Sequence, residues 1–135
     1  MIKKIENNVA AIMRHYGLGE AEARIVSILA ARGDMNAKDV SARTGYAYST
    51  VINSLNFLRR MGLVEKYKKG RLSYYSASID FVEIMEDDRK RIMSMFHELK
   101  KDIEGLKEKY KKRLKKLVEN VERSIKYMKE REETR

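Results

Sequence analysis

Apolar side chains recur at intervals of three and four residues along most of this chain, which is the period of an α-helix. Six of the seven glycines lie within the first 70 residues and separate the apolar segments, and no proline is present. The pattern predicts a first helix at about 2–16 with a narrow apolar seam, and a second helix near 20–32. A short helix should follow, with Asn36 as its N-cap and Asp39 in its first turn.

The stretch 45–62, GYAYSTVINSLNFLRRMG, predicts a further helix in which Val51, Leu55 and Leu58 share the buried face. At about 100° per residue, the opposite face carries a row of polar side chains. This row consists of Ser49, Asn53, Asn56 and Arg60. Short amides and hydroxyls beside an arginine can contact base edges and phosphates, whereas a solvated face is more often Lys and Glu. Helix, glycine turn and helix in this order are the helix-turn-helix pattern.

A β-hairpin is predicted over GLVEKYKKGRLSYYSAS, where β-forming residues flank a charged turn around Gly70. Leu63 and Val64 would lead into the core, and Tyr74 and Tyr75 would lie on the returning strand. The cations of this turn are Lys66, Lys68, Lys69 and Arg71. A hairpin turn has no structural need for four cations, whereas the backbone of a polyanion would attract them. A basic hairpin after a helix-turn-helix favours a DNA-binding protein over a generic pair of helices.

The remaining residues, 81–135, predict one long helix with a seven-residue apolar repeat, in which Gly105 is tolerated. A stutter after Tyr110 would unwind a supercoil locally without ending the helix. Fifty residues of helix reach about 75 Å, and an apolar seam of that length needs a partner in water. We therefore predict a homodimeric coiled coil, assisted by the first helix. Its seam would contain Met85, Ile92, Phe96, Leu99, Ile103, Leu106, Tyr110, Leu114, Leu117, Val121 and Met128.

The charge balance of the chain indicates a polyanionic partner. The sequence has 30 Lys and Arg and 20 Asp and Glu, for a net charge of +10, which favours binding to nucleic acid or to an acidic membrane surface. The segment KEKYKKRLKK at 107–116 is the richest in cations. It is either a solvated face or a contact to DNA phosphate, an anionic membrane or a protein partner.

Other features of the sequence argue against catalysis and against a membrane location. Cysteine is absent, which excludes disulfides, thiolate chemistry and cysteine-ligated zinc. His15 and His97 lack a metal-binding context, and the chain contains neither a phosphate-binding glycine loop nor a nucleophile elbow. We therefore expect that the protein is not an enzyme and that it has no catalytic site, metal or cofactor. No apolar run approaches the ~18 residues of a membrane span, so we expect a cytoplasmic, nucleoid-associated protein without membrane contact.

Residues of about 18–80 resemble the winged helix-turn-helix domain of archaeal-type TrmB and MarR transcriptional regulators. The matching stretches are LGEAEARIVSILAARG, AKDVSARTG, STVINSLNFLRRMGLVEK and YYSASID. The resemblance implies that the helix beginning near Tyr48 enters the major groove, while the Lys68–Arg71 wing follows the minor groove or the backbone. Two departures are the absence of proline from the turn and wing, and the lack of room for the larger sugar-binding domain of full TrmB proteins. No small-molecule effector is therefore evident.

The predicted fold class is mainly α with a small β-hairpin: a winged helix-turn-helix domain at 1–80, followed by a long C-terminal coiled-coil helix at 81–135. The predicted function is a sequence-specific regulator of transcription that binds double-stranded DNA as a homodimer. Base edges or nearby phosphates would be contacted by Ser49, Thr50, Asn53 and Asn56. Tyr48 would stack on a sugar or donate to phosphate. The backbone would be held by Arg59, Arg60, Lys66, Lys68, Lys69 and Arg71.

Two alternatives remain open at this point. An architectural, chromatin-like protein would bind DNA without sequence preference and bridge duplexes through the coiled coil. The charge of +10 favours this alternative, and the polar row on the recognition helix disfavours it. The other alternative is a winged helix that binds protein within a larger complex, for which the wing cations would be incidental.

Overall fold

Four helices and three short strands form the first part of the computed structural model, which describes residues 1–133. In chain order they are α1 (Ile2–His15), α2 (Glu20–Arg32), β1 (Met35–Asn36), α3 (Ala37–Thr44), α4 (Tyr48–Arg60), β2 (Val64–Lys69) and β3 (Leu72–Ala77). The strands form one antiparallel sheet in the order β1-β3-β2. Together these elements make the compact unit Met1–Phe81, and a second unit begins at Val82.

The core of the first unit lies around α2, which packs against α1 and α4. Ile25 and Val26 of α2 are completely buried, as are Val51, Leu55 and Leu58 of α4. These three α4 side chains are the ones that the sequence places on its inner face. Each fully buried side chain of this size contributes about 1.5–3 kcal/mol, so this helix pair fixes the orientation of the outer face of α4.

Helix α3 has a side-chain cap at its start and a glycine at its end. The Asn36 side chain accepts a hydrogen bond from the backbone N–H of Asp39 at 2.8 Å, which confirms the predicted cap. Gly45 ends the helix in the left-handed region at φ 79°, where other residues would be strained. The chain can therefore turn directly into α4.

Strand β1 is absent from the predicted elements. It has only two residues, and Met35 and Asn36 pair with Tyr75 and Tyr74 of β3. Two residues carry no periodic signal, so the pattern of the sequence could not indicate this strand. The β2–β3 hairpin occurs where it is predicted, with Lys69 opposite Leu72 across the turn.

Helix α1 turns its predicted apolar seam outward. Ile2, Ile5 and Ile12 are 47, 47 and 42% exposed, whereas Glu6 and Met13 are buried against the unit. Glu6 forms an ion pair with Arg32 of α2 and lies 3.7 Å from Lys3. A carboxylate thus occupies the inner face of α1, and the isoleucines remain available on the surface.

The second unit contains α5 (Phe81–Glu104), α6 (Glu108–Arg113) and α7 (Lys115–Glu133). A long helix does follow the winged helix, but its predicted continuation past Gly105 does not occur. The helix ends at Glu104, Lys107 is extended at ψ 151°, and α6 ends at Arg113, in the region where the sequence predicts a stutter within a continuous helix. Two effects favour this break. Glycine costs about 1 kcal/mol relative to alanine in a helix, and a chain that folds back can pack its apolar seam against itself.

Two ion pairs define how α5 and α7 pack. Arg89 lies 3.3 Å from Glu132, and Lys100 lies 3.8 Å from Glu122. From the first ion pair to the second, the residue number rises on α5 and falls on α7. The two helices therefore run antiparallel and form a helical hairpin. The prediction of a single helix over 81–135 is therefore wrong.

The helical hairpin buries only part of the seam that was assigned to a dimer interface. Ile103 and Val121 are buried within the unit, together with Ile125. Half-buried members of the seam are Ile92, Phe96, Leu114 and Met128. Exposed members are Met85 at 47%, Leu99 at 37%, Leu106 at 40%, Tyr110 at 38% and Leu117 at 41%. The buried members pack within the chain itself, and the exposed ones remain free for another contact.

Candidate nucleic-acid interface

The outer face of α4 carries the polar side chains that the sequence assigns to DNA. Ser49, Asn53 and Arg60 are exposed, and Asn56 is half-buried. The neighbouring residues Tyr48, Thr50 and Arg59 are also exposed. Hydroxyl and amide groups on one helical face can make the hydrogen bonds that base edges and phosphates require.

The turn before α4 is held by Arg24, which lies on α2. Its Nη1 donates a hydrogen bond to the backbone carbonyl of Thr44 at 3.1 Å. Its guanidinium also lies over the ring of Tyr46, 5.4 Å from the centroid. Ser41 Oγ donates to the carbonyl of Tyr46 at 2.6 Å, and the N–H of Tyr46 donates to Thr44 Oγ1 at 3.2 Å. This network fixes the path of the chain between α3 and α4.

A second polar contact anchors the middle of α4. Ser54 is buried, and its Oγ donates a hydrogen bond to Glu22 Oε1 of α2 at 3.3 Å. A buried hydroxyl without a partner would cost about 1–3 kcal/mol, so this bond favours a single rotation of α4 about its axis. That rotation keeps Asn53, the preceding residue, on the exposed side.

Residues 64–77 form the β2–β3 hairpin, which we call the wing. Its two-residue turn consists of Gly70, at φ 67°, and Arg71. The cations predicted to contact DNA are all exposed: Lys66, Lys68, Lys69 and Arg71. Exposed cations at the end of a hairpin suit contact with a phosphate backbone.

One face of the wing adjoins α4. Lys66 is paired with Tyr75 across the strands, and its Nζ lies 5.9 Å from the centre of that ring. Burial raises the pKa of the Tyr75 hydroxyl, and the nearby charge of Arg59 opposes this effect. Helix α4 also packs against β2, so the wing and α4 belong to the same packed unit.

The other face of the wing is tied to the loop after α2. Tyr67 stacks on Tyr74 with ring centroids 5.9 Å apart, and its hydroxyl donates to Asp34 Oδ2 at 2.7 Å. This hydrogen bond raises the pKa of Tyr67, so the phenol remains a donor. The contact limits movement of the wing relative to the helices.

The structure thus brings the eleven residues predicted to contact DNA to the surface of one unit, on α4 and the wing. Arg24, Glu22 and Tyr67 support these residues and were not singled out from the sequence. Their partners are 20, 32 and 33 residues away, and no local pattern signals such contacts. Within residues 1–133, no cluster of potential metal ligands occurs. In the same residues, no helix combines the length and apolar character needed to cross a membrane.

A helix-turn-helix followed by a β-hairpin defines a winged helix, the architecture of many DNA-binding proteins. The family model described as "Sugar-specific transcriptional regulator TrmB" matches residues 13–80, about half of the chain. The chain belongs to the TrmB family, and hence to a family of DNA-binding transcriptional regulators. Among proteins of curated function, no sequence matches this chain.

Solved structures that resemble the chain include the following two. A protein described as a transcriptional regulator matches with a TM-score of 0.55 and 12% identity over 99% of both chains. TrmBL2, described as an archaeal chromatin protein with a novel mode of DNA binding, matches with a TM-score of 0.63 and 18% identity. That match covers 85% of this chain and 45% of TrmBL2. At such low identity, both likenesses show the fold alone.

Proposed function

We propose that this protein is a homodimeric transcription regulator that binds double-stranded DNA in a sequence-specific manner. Helix α4 would enter the major groove, and the wing would lie on the backbone or in the minor groove. The observation that carries this proposal is the outer face of α4, where polar side chains are exposed on a helix held by Arg24 and Glu22.

Sequence discrimination would come from the two asparagines of this face. An asparagine amide can pair with N6 and N7 of adenine, and each good bidentate pair discriminates by about 1–3 kcal/mol. Asn53 and Asn56 are three residues apart and therefore close on the same helical face. Ser49 and Thr50, at the first turn of α4, would contact a base edge or a nearby phosphate.

Orientation on the duplex would come from contacts with the phosphate backbone. Tyr48, 57% exposed at the start of α4, would stack on a sugar or donate to a phosphate. Cations at the end of α4 and on the wing would neutralise phosphates. These are Arg59 and Arg60 on α4, and Lys66, Lys68, Lys69 and Arg71 on the wing.

A second copy of the chain is the partner that we propose for the exposed apolar residues. On α1 these are Ile2, Ile5 and Ile12, and on the helical hairpin they include Leu99 and Leu117. Exposed apolar side chains in such numbers are typical of an interaction surface. A dimer would present two winged helices to the two halves of one operator.

The architectural alternative remains a second candidate. The net charge of +10 favours non-specific binding to the backbone, because that binding is mainly electrostatic. The same alternative is consistent with the fold shared with TrmBL2, a protein described as archaeal chromatin. The two functions differ in whether base sequence changes the affinity.

Selection of bound duplexes from a random pool by the full chain tests this proposal. A sequence-specific dimer should enrich a motif with two related half-sites, about one helical turn apart or a multiple of it. A pool that stays random after repeated selection, while binding remains strong, would contradict the proposal and favour the architectural function.

A further inference from the structure

The most cationic segment of the chain forms the turn of the helical hairpin. We call residues 107–116 the tip; it contains α6, the residues that flank it and the start of α7. The tip has seven Lys and Arg against one Glu, for a net charge of +6. More than half of the chain's net charge of +10 thus lies in ten residues.

The rest of residues 81–135 has the opposite sign. Outside the tip, this segment has ten Lys and Arg against 12 Asp and Glu, for a net charge of −2. Cations there are paired with acids, as in Arg89–Glu132, Lys100–Glu122 and Lys126–Glu130. Solubility is best served by charges of both signs distributed over a surface, and like charges close together on a helix destabilise it. Solubility alone does not account for the tip.

The cations of the tip are accessible and mostly without acidic partners. In the part of the chain that the structure describes, Lys111 is the one tip cation with a carboxylate within 4 Å, that of Glu108 at 3.4 Å. The exposed cations are Lys107, Lys109, Lys112, Arg113, Lys115 and Lys116. Their charges are therefore available to an external anion.

An exposed aromatic ring lies among these cations. Tyr110 is 38% exposed, with Lys109 Nζ 5.0 Å and Arg113 Cζ 5.6 Å from the centre of its ring. The ring holds two cations beside a phenol that can donate a hydrogen bond to a phosphate oxygen. Basic residues interleaved with an aromatic ring suit a nucleic-acid backbone.

We propose that the tip is a second DNA-binding site, which holds the phosphodiester backbone of a duplex without reading its sequence. Six of the seven cations of the tip are lysines, which act on phosphate as point charges, and the tip has no amide side chain, so it suits contact with the backbone rather than with base edges. Insertion into a membrane interface would require a broad apolar face with bulky side chains, and the tip contributes Tyr110 and the half-buried Leu114. The inference rests on the proposed function only in taking DNA as the polyanion, and not on sequence recognition by α4.

Two matched triple variants of the full chain test this site on a random duplex. The tip variant is Lys112→Gln, Lys115→Gln and Lys116→Gln. The control, Arg91→Gln, Arg123→Gln and Lys129→Gln, removes the same charge from exposed positions on α5 and α7. The slope of log affinity against log salt should become shallower by about 2.7 in the tip variant, roughly 0.9 per phosphate contact, and should not change in the control.

Replacing the same three lysines by arginine should preserve the slope, since charge is what the site provides. Circular dichroism melts should show both Gln variants to be at least as stable as the wild type, because all six side chains are exposed and the tip variant loses like-charge repulsion. An unchanged slope in the tip variant, or equal changes in both variants, would overturn the proposal. Loss of binding to phosphatidylserine–phosphatidylcholine vesicles, with DNA binding intact, would identify a membrane site instead. If the selection experiment finds no sequence preference, the slope change predicted for the tip variant is still expected. The two proposals can therefore be contradicted independently.

Discussion

Arg24 of α2 donates a hydrogen bond to the backbone carbonyl of Thr44, 20 residues away, at 3.1 Å. The same guanidinium lies over Tyr46, so one side chain from the core helix holds both sides of the glycine that ends α3. The entry angle of α4 thus depends on a residue that does not belong to its outer face.

Arg24→Met should therefore loosen the turn while keeping most of the side-chain volume. We expect a loss of about 1 kcal/mol in the free energy of unfolding, the usual contribution of such a hydrogen bond. We also expect faster amide exchange at Gly45 and Tyr46, together with a smaller ratio of affinities for preferred and random DNA. Lys4→Met, which removes an exposed cation from α1, is the control. Unchanged exchange at these two amides in Arg24→Met would show that the contact does not hold the turn.

Glu6→Met should destabilise the first unit, because it leaves Arg32 without the carboxylate that it contacts on the inner face of α1. The side chain of Glu6 is 4% exposed and that of Arg32 is 28% exposed, so Arg32 can partly rehydrate. We expect a loss of about 1–3 kcal/mol in urea unfolding. The double variant Glu6→Met, Arg32→Met should recover part of that loss. If the two single losses simply add in the double variant, the ion pair is not coupled energetically.

Exposed apolar residues of the helical hairpin and of α1 should support dimerisation to different extents. Leu99→Gln with Leu117→Gln should weaken the dimer at least about tenfold if the hairpin forms the interface, since each buried leucine contributes about 1.5–3 kcal/mol. Ile5→Gln with Ile12→Gln is the matched pair on α1. Sedimentation equilibrium measures both, and the pair with the larger effect identifies the main interface. A wild-type chain that sediments as a monomer at all accessible concentrations would contradict the dimer itself.

Lys68→Ala, Lys69→Ala and Arg71→Ala together should weaken binding to all duplexes by a similar factor. If each residue neutralises one phosphate, the slope of log affinity against log salt should become shallower by roughly 0.9 per residue. Fluorescence anisotropy over a salt series measures this slope. An unchanged slope would mean that the wing does not contact DNA, and it would favour a winged helix that binds protein.

The first unit could be predicted well because its periodic signals are long and bounded. Glycines mark the ends of α2 and α3, and Val51, Leu55 and Leu58 are fully buried as their spacing indicates. Contacts such as Arg24–Thr44 could not be predicted, because they join positions that no local pattern relates.

The second unit shows the limit of periodicity. An apolar seam looks the same whether it meets a second copy or folds back on its own chain, and Gly105 is only a weak breaker in isolation. The seam residues Ile103 and Val121 are in fact buried within one helical hairpin. The burial of Ile103 on α5 and of Val121 on α7 is a tertiary effect, which no local pattern indicates.

Replacing Asn53 and Asn56 by alanine should remove most of the sequence recognition that we propose for α4. Binding of this variant to the selected duplex and to a random duplex should be compared with that of Asn8→Ala, Asn120→Ala, which removes two exposed asparagines elsewhere. We expect a loss on the selected duplex of about 1–3 kcal/mol for each bidentate pair, a much smaller loss on random DNA and a nearly unchanged salt slope. Equal losses on the two duplexes would show that α4 does not recognise base sequence through these asparagines.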